Sequence, residues 1–270
     1  MEKESCIITK DNKVGKRGVE MNKLITLIMD VGEQMLINGA EVNRVEEAIR
    51  RMGAAYGATR VDAFIITSNM EVSIYGVDGE IYTQTRRVTE LTTNIEKLHR
   101  FSNLSRRICR ERLSAEAIEE ELGKIGETKK YPAVLAVLSY GVMSGAFAVF
   151  FGGGPTEGAC ALAVGLITGL LVKLTERSNL NRIFARFLCS FVATLLAFCT
   201  LKLGLVQTAE HIIIGNIMTL IPGVGLTVAL RDLFSGDNIT GLLRTAEALL
   251  LTLAIVGGYF LTAAISGGAI

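Results

Sequence analysis

The segment from Ile212 to Asp232 combines an apolar sequence with residues that a plain membrane anchor does not need. Asn216 and Thr219 place polar side chains within it. The residues that interrupt its helical pattern are Pro222, Gly223 and Gly225. Proline removes a backbone donor and clashes with the preceding turn, and in a bilayer the freed backbone groups must be buried in protein or line a cavity. The segment therefore predicts a small-molecule site on a broken helix of the kind that transporters use, with a kinked packing helix as the alternative.

Ionisable residues in or near the apolar segments form a second group of candidates. Glu247 follows Arg244 by one helical turn, so the sequence predicts that the two side chains pair. An ionisable residue within a membrane span is a functional hypothesis by default, because a charge in lipid is costly. We expect Glu247, Arg244 and Asp232 to serve proton coupling: Glu247 carries the proton, Arg244 tunes its proton affinity, and Asp232 closes the broken segment on the cytoplasmic side. A solvated pair at the membrane boundary is the alternative.

A third group opens a helix near the N-terminus and consists of Glu41, Arg44, Glu46 and Glu47. Acidic residues suit a helix N-terminus, and Glu/Arg pairs at this spacing are common surface supports. The other hypothesis is acid–base chemistry in a membrane-tethered hydrolase. The sequence offers that hypothesis no nucleophile–base pair, and its five cysteines and two histidines show no metal-ligand spacing. We expect no enzyme activity, no cofactor and no metal.

Composition divides the chain into two parts. Of 270 residues, 50% are hydrophobic and 20% are charged, and the mean hydropathy is +0.40. The charges crowd into the first part of the chain and thin out after Lys130. This asymmetry predicts a flexible lead over 1–19, an α+β domain over 20–130 and an α-helical membrane domain over 131–270. The net charge of +1 gives no reason to expect nucleic-acid binding, and the polar first twenty residues predict no cleavable signal.

Periodicity predicts the elements of the α+β domain. Apolar residues at helical spacing indicate a helix from Glu20 that ends at Asn38-Gly39, and a second helix over Glu41–Gly57. Alternating residues then predict three short strands, the last two joined by a turn at 77–80. Two further helices are expected at about 92–112 and 115–122. The domain is therefore expected to contain a small antiparallel sheet.

Five apolar segments follow, at about 131–151, 155–172, 183–205, 212–230 and 240–265. Lysine and arginine concentrate on alternate connections between them, so we expect a cytoplasmic N-terminal domain and an external C-terminus. The basic residues on the expected cytoplasmic side are Lys124, Lys129, Lys130, Lys173, Arg177, Arg182, Arg231 and Arg244. A membrane-anchored sensor would need no broken helix, which makes a transporter the preferred hypothesis.

Three stretches together resemble the threonine/serine exporter family, in its YjjP-like large-subunit form. They are Gly39–Glu46 with the strand that follows, Ile221–Asp232, and Gly241–Ala248. The resemblance implies a bacterial inner-membrane secondary transporter that exports threonine and serine, or in some members a succinate-like dicarboxylate, coupled to the proton motive force. It also implies a separate YjjB-like small membrane subunit, because fused members carry ten spans and this chain carries five. A homo-oligomer is the alternative assembly. The resemblance assigns no binding residues.

Overall fold

The computed structural model describes residues 22–76, 79–128, 131–178 and 180–266. The expected lead over 1–19, Lys129, Lys130 and part of the 77–80 turn lie outside these residues. The chain divides into two compact units. Unit 1 comprises Met1–Thr128 and Val224–Thr245, and unit 2 comprises Lys129–Gly223 and Ala246–Ile270. The 224–245 segment therefore groups with the N-terminal part of the chain, whereas the sequence predicted a single membrane domain from 131 onward.

Unit 1 begins with helix α1, described over 22–37, followed by α2 (Val42–Ala55). Three strands then form an antiparallel sheet in the order β1 (Arg60–Ile66), β2 (Asn69–Tyr75) and β3 (Ile81–Arg87). Helices α3 (Ile95–Glu111) and α4 (Ala115–Gly126) follow. The alternation of helical and strand periods thus predicted these elements, with differences of a few residues at their ends.

The turn between α1 and α2 depends on Gly39. Its φ of +99° lies in the left-handed region that favours glycine, and this conformation ends α1. Helix α2 then buries Val42, Val45, Ile49 and Met52 on one face, as its apolar spacing predicts. These side chains join the core that α1, α3 and the sheet complete. The turn is therefore held at both ends by buried apolar surface.

Unit 2 contains helices that are apolar around most of their surface. They are α5 (Ala133–Phe150), α6 (Pro155–Arg177), α7 (Arg182–Lys202) and α8 (Glu210–Leu220). Helix α9 (Gly223–Phe234) falls almost wholly in unit 1, and α10 (Asn238–Ile265) begins in unit 1 and continues into unit 2. Helices α5, α6, α7 and α10 are each long and apolar enough to cross a membrane, and α8 with α9 adds a fifth span if that bent pair counts as one.

Small residues let the helices of unit 2 approach closely. A Cβ added at Gly165 would lie 2.5 Å from the Ser144 Oγ, and one added at Gly215 would lie 2.5 Å from the Ser144 carbonyl oxygen. Such distances leave no room for a side chain, so the backbones of α5, α6 and α8 are in near contact. Membrane helices pack by this close approach because lipid offers no hydrophobic drive for association.

Candidate functional site

The predicted break in the fourth apolar segment is present. Helix α8 ends at Leu220, Ile221 is extended with φ −64° and ψ 132°, and α9 begins at Gly223 directly after Pro222. A Cβ added at Gly223 or Gly225 would meet no atom within 4 Å. These two glycines therefore do not serve close packing, unlike Gly215. They leave the backbone of the first α9 turn sterically open.

Asn216 and Thr219 occupy the α8 side of the break, within unit 2. Asn216 is fully buried, and its Nδ2 donates to the carbonyl oxygens of Ile212 at 2.9 Å and Ala161 at 3.4 Å. Its Oδ1 is buried without a hydrogen-bond partner among the described residues. The Thr219 hydroxyl donates to the Asn216 carbonyl oxygen at 2.7 Å. The Asn216 Oδ1 is thus a buried acceptor still available to a donor.

Asp232 and Arg244 form a buried ion pair in unit 1. The Arg244 Nη1 lies 2.6 Å from the Asp232 Oδ2, and the relative exposures of the two side chains are 9% and 0%. Two further atoms of the pair also find partners: the Asp232 Oδ1 accepts from the Val42 amide at 3.2 Å, and the Arg244 Nη2 donates to the Ala40 carbonyl oxygen at 3.2 Å. A buried charge is tolerated when it is paired and hydrogen-bonded in this way.

Asp232 acts as a long-range cap for α2. The residue at the N-cap position, Glu41, makes no side-chain cap hydrogen bond, while Asp232 accepts from the first helical amide, that of Val42. A carboxylate at a helix N-terminus is favoured by the unpaired amides and by the helix dipole. The closing residue of the broken segment therefore binds a helix start about 190 positions away in the sequence.

Two further contacts surround this pair. Arg231 lies 2.7 Å from the Glu41 carboxylate, and the Asn43 Nδ2 donates to the Ser235 carbonyl oxygen at 3.1 Å. Asp237, in the α9–α10 connection, lies near Asn43, and burial raises the pKa of its carboxyl group. The three sequence stretches that carry the family resemblance therefore meet at the start of α2. We call this set of contacts the α2 docking site.

The expected pairing of Arg244 with Glu247 is wrong. Arg244 pairs with Asp232, and the Glu247 carboxylate instead lies 2.8 Å from Arg182 on an exposed surface of unit 2. The turn at 235–237 brings Arg244 on α10 next to Asp232 on α9. Residue spacing along a single helix cannot predict such a contact between two helices. Of the three residues predicted for proton coupling, the structure brings Asp232 and Arg244 together and leaves Glu247 elsewhere.

The charged cluster that opens α2 spreads over several directions, because successive residues of a helix point about 100° apart. Glu41 contacts Arg231, and Glu47 contacts Arg51. Glu46 contacts Arg50 and accepts from the Ile65 amide, and burial raises the pKa of the Glu46 carboxyl group. Each of these three carboxylates thus pairs with its own arginine. This arrangement favours the interpretation that the cluster supports the surface of the helix rather than performing acid–base chemistry. Within the described residues no group of three or more metal-ligating side chains occurs.

Glu157 and His211 form a site that the sequence reasoning missed. The Glu157 Oε2 accepts from the Gly154 amide at 2.9 Å and lies 3.1 Å from the His211 Nδ1, within ion-pair distance but without hydrogen-bond alignment. Its Oε1 accepts from the Thr208 hydroxyl at 3.2 Å. Gly153 fits only without a side chain, since a Cβ there would lie 2.9 Å from the His211 Cβ. The Pro-Thr-Glu start of α6 signals a helix cap, but nothing local in the sequence indicates His211.

An α+β unit, four apolar helices of spanning length and a broken helix pair define a multi-pass membrane protein. Residues 26–266 match the family model described as "Putative threonine/serine exporter". The chain belongs to the threonine/serine exporter family, a family of transporters. The resemblance carried by the three short stretches is thereby confirmed.

Relatives within this family carry two kinds of name. The chain is 27% identical over 236 residues to "Probable succinate transporter subunit YjjP" of Klebsiella aerogenes, covering 87% of this chain and 91% of the relative. It is 28% identical over 251 residues to the protein of the same name in Escherichia coli, covering 92% of this chain and 97% of the relative. It is 28% identical over 243 residues to "Threonine/serine exporter" of Corynebacterium glutamicum, covering 87% of this chain but 50% of the relative. No solved structure matches the chain.

Proposed function

We propose that the chain is the large subunit of a secondary transporter that exports threonine and serine across the bacterial inner membrane, driven by protons. The observation that carries the proposal is the broken helix at Ile221–Pro222 in a chain of this family, where no described atom crowds the Cα of Gly223 or Gly225. An amino acid bears both an ammonium and a carboxylate, and transporters bind such groups at the interrupted ends of broken helices. The chain performs no enzymatic reaction.

The substrate site comprises Asn216, Thr219, Pro222, Gly223 and Gly225. Asn216 is suited to this role because its Oδ1 is buried and has no hydrogen-bond partner in the described part of the chain, so it can accept from a substrate ammonium or hydroxyl. Thr219 stabilises the last turn before the break through the Asn216 carbonyl oxygen. The glycines give the substrate access to backbone polar groups.

Coupling rests on the charged residues around the break. Protonation of Asp232 would neutralise the partner of Arg244 and weaken the cap on α2, so this pair can link a proton to the α2 docking site. Glu247 stays a second proton-carrier candidate, since its exposed pairing with Arg182 leaves it accessible to solvent. We place the α+β part in the cytoplasm and the C-terminus outside, because lysine and arginine favour cytoplasmic loops.

The transporter requires a second membrane subunit of the YjjB-like type. Two relatives that this chain covers almost fully are named subunits, whereas the chain spans only 50% and 46% of two relatives named exporters. The longer relatives therefore contain further sequence that a separate chain would supply here. Assembly as a homo-oligomer is the alternative.

A second candidate substrate is a succinate-like dicarboxylate, which the names of the two subunit relatives favour. Proteoliposomes containing the chain, with and without a co-expressed small subunit, should be loaded with labelled threonine, serine or succinate. The proposal expects threonine and serine efflux only with both subunits, accelerated by a proton gradient. Efflux of succinate alone would mean that the substrate is a dicarboxylate and not threonine or serine. No efflux of any of the three compounds would contradict the proposed function.

A further inference from the structure

Unit 1 contains a cleft between α2 and α3 that no step of the proposed transport uses. Its volume is about 380 Å³, which is within the range of small-molecule sites. Two buried serine side chains, Ser102 and Ser105, contribute to its lining together with Met35 and Cys109. The charged residues around it are Arg44, Glu47, Arg51, Arg106 and Arg110. Four guanidinium groups thus share one cleft with a single carboxylate.

Among the described residues, two of these guanidinium groups lack an acidic partner. Glu47 is used by Arg51 at 2.5 Å, and Arg110 pairs with Glu111 at 2.6 Å. Arg44 instead donates to the neutral Ser102 hydroxyl at 2.9 Å, which positions its guanidinium group and leaves the charge uncompensated. In the part of the chain that the structure describes, Arg106 makes no hydrogen bond or ion pair.

The lack of acidic partners for Arg44 and Arg106 contrasts with the pairing of most other arginines in unit 1. Of the nine other arginines of unit 1 that the structure describes, Arg87 and Arg112 have no carboxylate within 4 Å. The other seven each lie within 4 Å of a carboxylate: Arg50, Arg60, Arg86, Arg100, Arg107, Arg231 and Arg244. Pairing of arginine with a carboxylate is therefore usual in unit 1, whereas Arg44 and Arg106 in the cleft lack such a partner among the described residues. Like charges collected in a concave surface raise the local potential and attract an anion.

We propose that this cleft binds a small anion carrying two or more negative charges. Carboxylate and phosphate oxygens match the forked geometry of guanidinium donors. The Ser102 hydroxyl accepts from Arg44 and keeps its own hydrogen as a neutral donor, whereas the Ser105 hydroxyl donates to the Ser102 carbonyl oxygen. A zwitterionic amino acid has no net charge and gains little from this potential. The site is thus separate from the proposed substrate site at the broken helix, and its occupancy does not depend on transport.

The test uses the full-length chain in uncharged detergent, with titration calorimetry as the readout. Succinate and citrate represent carboxylates, inorganic phosphate and pyrophosphate represent phosphates, and threonine is the zwitterion. The key variant is Arg106→Gln, because this exposed side chain makes no hydrogen bond or ion pair within the described residues. Arg100→Gln is the matched control, since Arg100 lies on the same helix, pairs with Glu96 and does not line the cleft.

At least one multivalent anion should bind more tightly than threonine, and added salt should weaken it. Loss of one charge-assisted contact in Arg106→Gln should weaken binding about tenfold, while Arg100→Gln should bind like the unmodified chain. The carboxylate and phosphate arms identify which acidic group the cleft selects.

Two results would overturn the proposal. Equal weakening in Arg106→Gln and Arg100→Gln would mean that surface charge in general attracts the anion. Absence of binding by all four soluble anions would mean that the cleft is not an anion site. Calorimetry measures binding and not transport. A failure of the proposed transport function would therefore not change the outcome of this binding test.

Discussion

Helix α10 contributes to two ion pairs that differ in almost every respect. In unit 1, Arg244 and Asp232 are buried, 2.6 Å apart and hydrogen-bonded to the backbone at Ala40 and Val42. In unit 2, Glu247 and Arg182 are 2.8 Å apart, with side chains 44% and 65% exposed. Exposed pairs contribute about 0–1 kcal/mol, whereas removing one partner of a buried pair leaves an uncompensated charge. Distance alone would therefore rank the two pairs as equals, and burial separates them.

The largest effect is expected from Asp232→Ala. This change leaves Arg244 buried without its partner and removes the cap on α2, so the free energy of unfolding should fall by about 3–5 kcal/mol. Thermal unfolding in detergent should register the loss in full-length protein. Glu247→Ala is the matched control and should cost less than about 1 kcal/mol. Equal losses in the two variants would show that burial does not distinguish the pairs.

Two glycines extend the comparison to the backbone. Gly215→Ala places a Cβ 2.5 Å from the Ser144 carbonyl oxygen, and overpacking of this kind costs about 1–3 kcal/mol. Gly225→Ala meets no atom within 4 Å and should leave thermal stability unchanged. If Gly225 serves the substrate site, its alanine variant should still lose efflux. A stable, fully active Gly225→Ala protein would remove Gly225 from that site.

The break itself is tested by Pro222→Ala/Gly223→Ala, which restores an amide donor and restricts the backbone. We expect a continuous helix that reaches the membrane at normal levels but loses efflux with the small subunit present. Membrane abundance is measured alongside transport, so a failure of insertion is recognised directly. Efflux at the unmodified rate would make the break a packing kink.

A smaller, pH-dependent effect is expected at Asp237. Burial raises the pKa of this carboxyl group above its ordinary value, so its contribution to stability is fully present below the unfolded pKa and is lost as pH rises through the folded pKa. Asp237→Asn should therefore raise the melting temperature near neutral pH. The gain should shrink as pH falls through the titration of Asp237. A variant that is less stable than the unmodified protein at neutral pH would show that the ionised carboxylate is favourable.

The smallest structural effect is expected from Glu157→Gln. Glutamine at this position can still accept from the Gly154 amide, so the helix cap is kept. Thermal stability should stay within about 0.5 kcal/mol if capping is the dominant role of this residue. A larger loss would mean that the negative charge of Glu157, which lies 3.1 Å from the His211 Nδ1, contributes to stability.

Local patterns in the sequence predicted most of the secondary structure. The apolar face of α2, the Gly39 turn, the three strands and the break before α9 all follow from backbone preferences that act within a few residues. The contacts of Asp232 could not be predicted in this way, since its partner Val42 lies next to it only after both segments fold. The Arg244–Glu247 prediction failed for the same reason: a nearer residue in space replaced a nearer residue in sequence. The substrate-binding role of Asn216 stays a prediction, because a ligand is a separate molecule whose identity local patterns in the chain do not specify.

The central claim is that Asp232 and Arg244 act together to hold the start of α2. A double-mutant cycle of Asp232→Ala and Arg244→Ala, measured as the free energy of unfolding of the full-length chain, tests it most directly. We predict strong non-additivity, with the double variant at least about 1.5 kcal/mol more stable than the sum of the single losses implies. Losses that add to within about 0.5 kcal/mol would mean that the two side chains act independently, and would contradict the account.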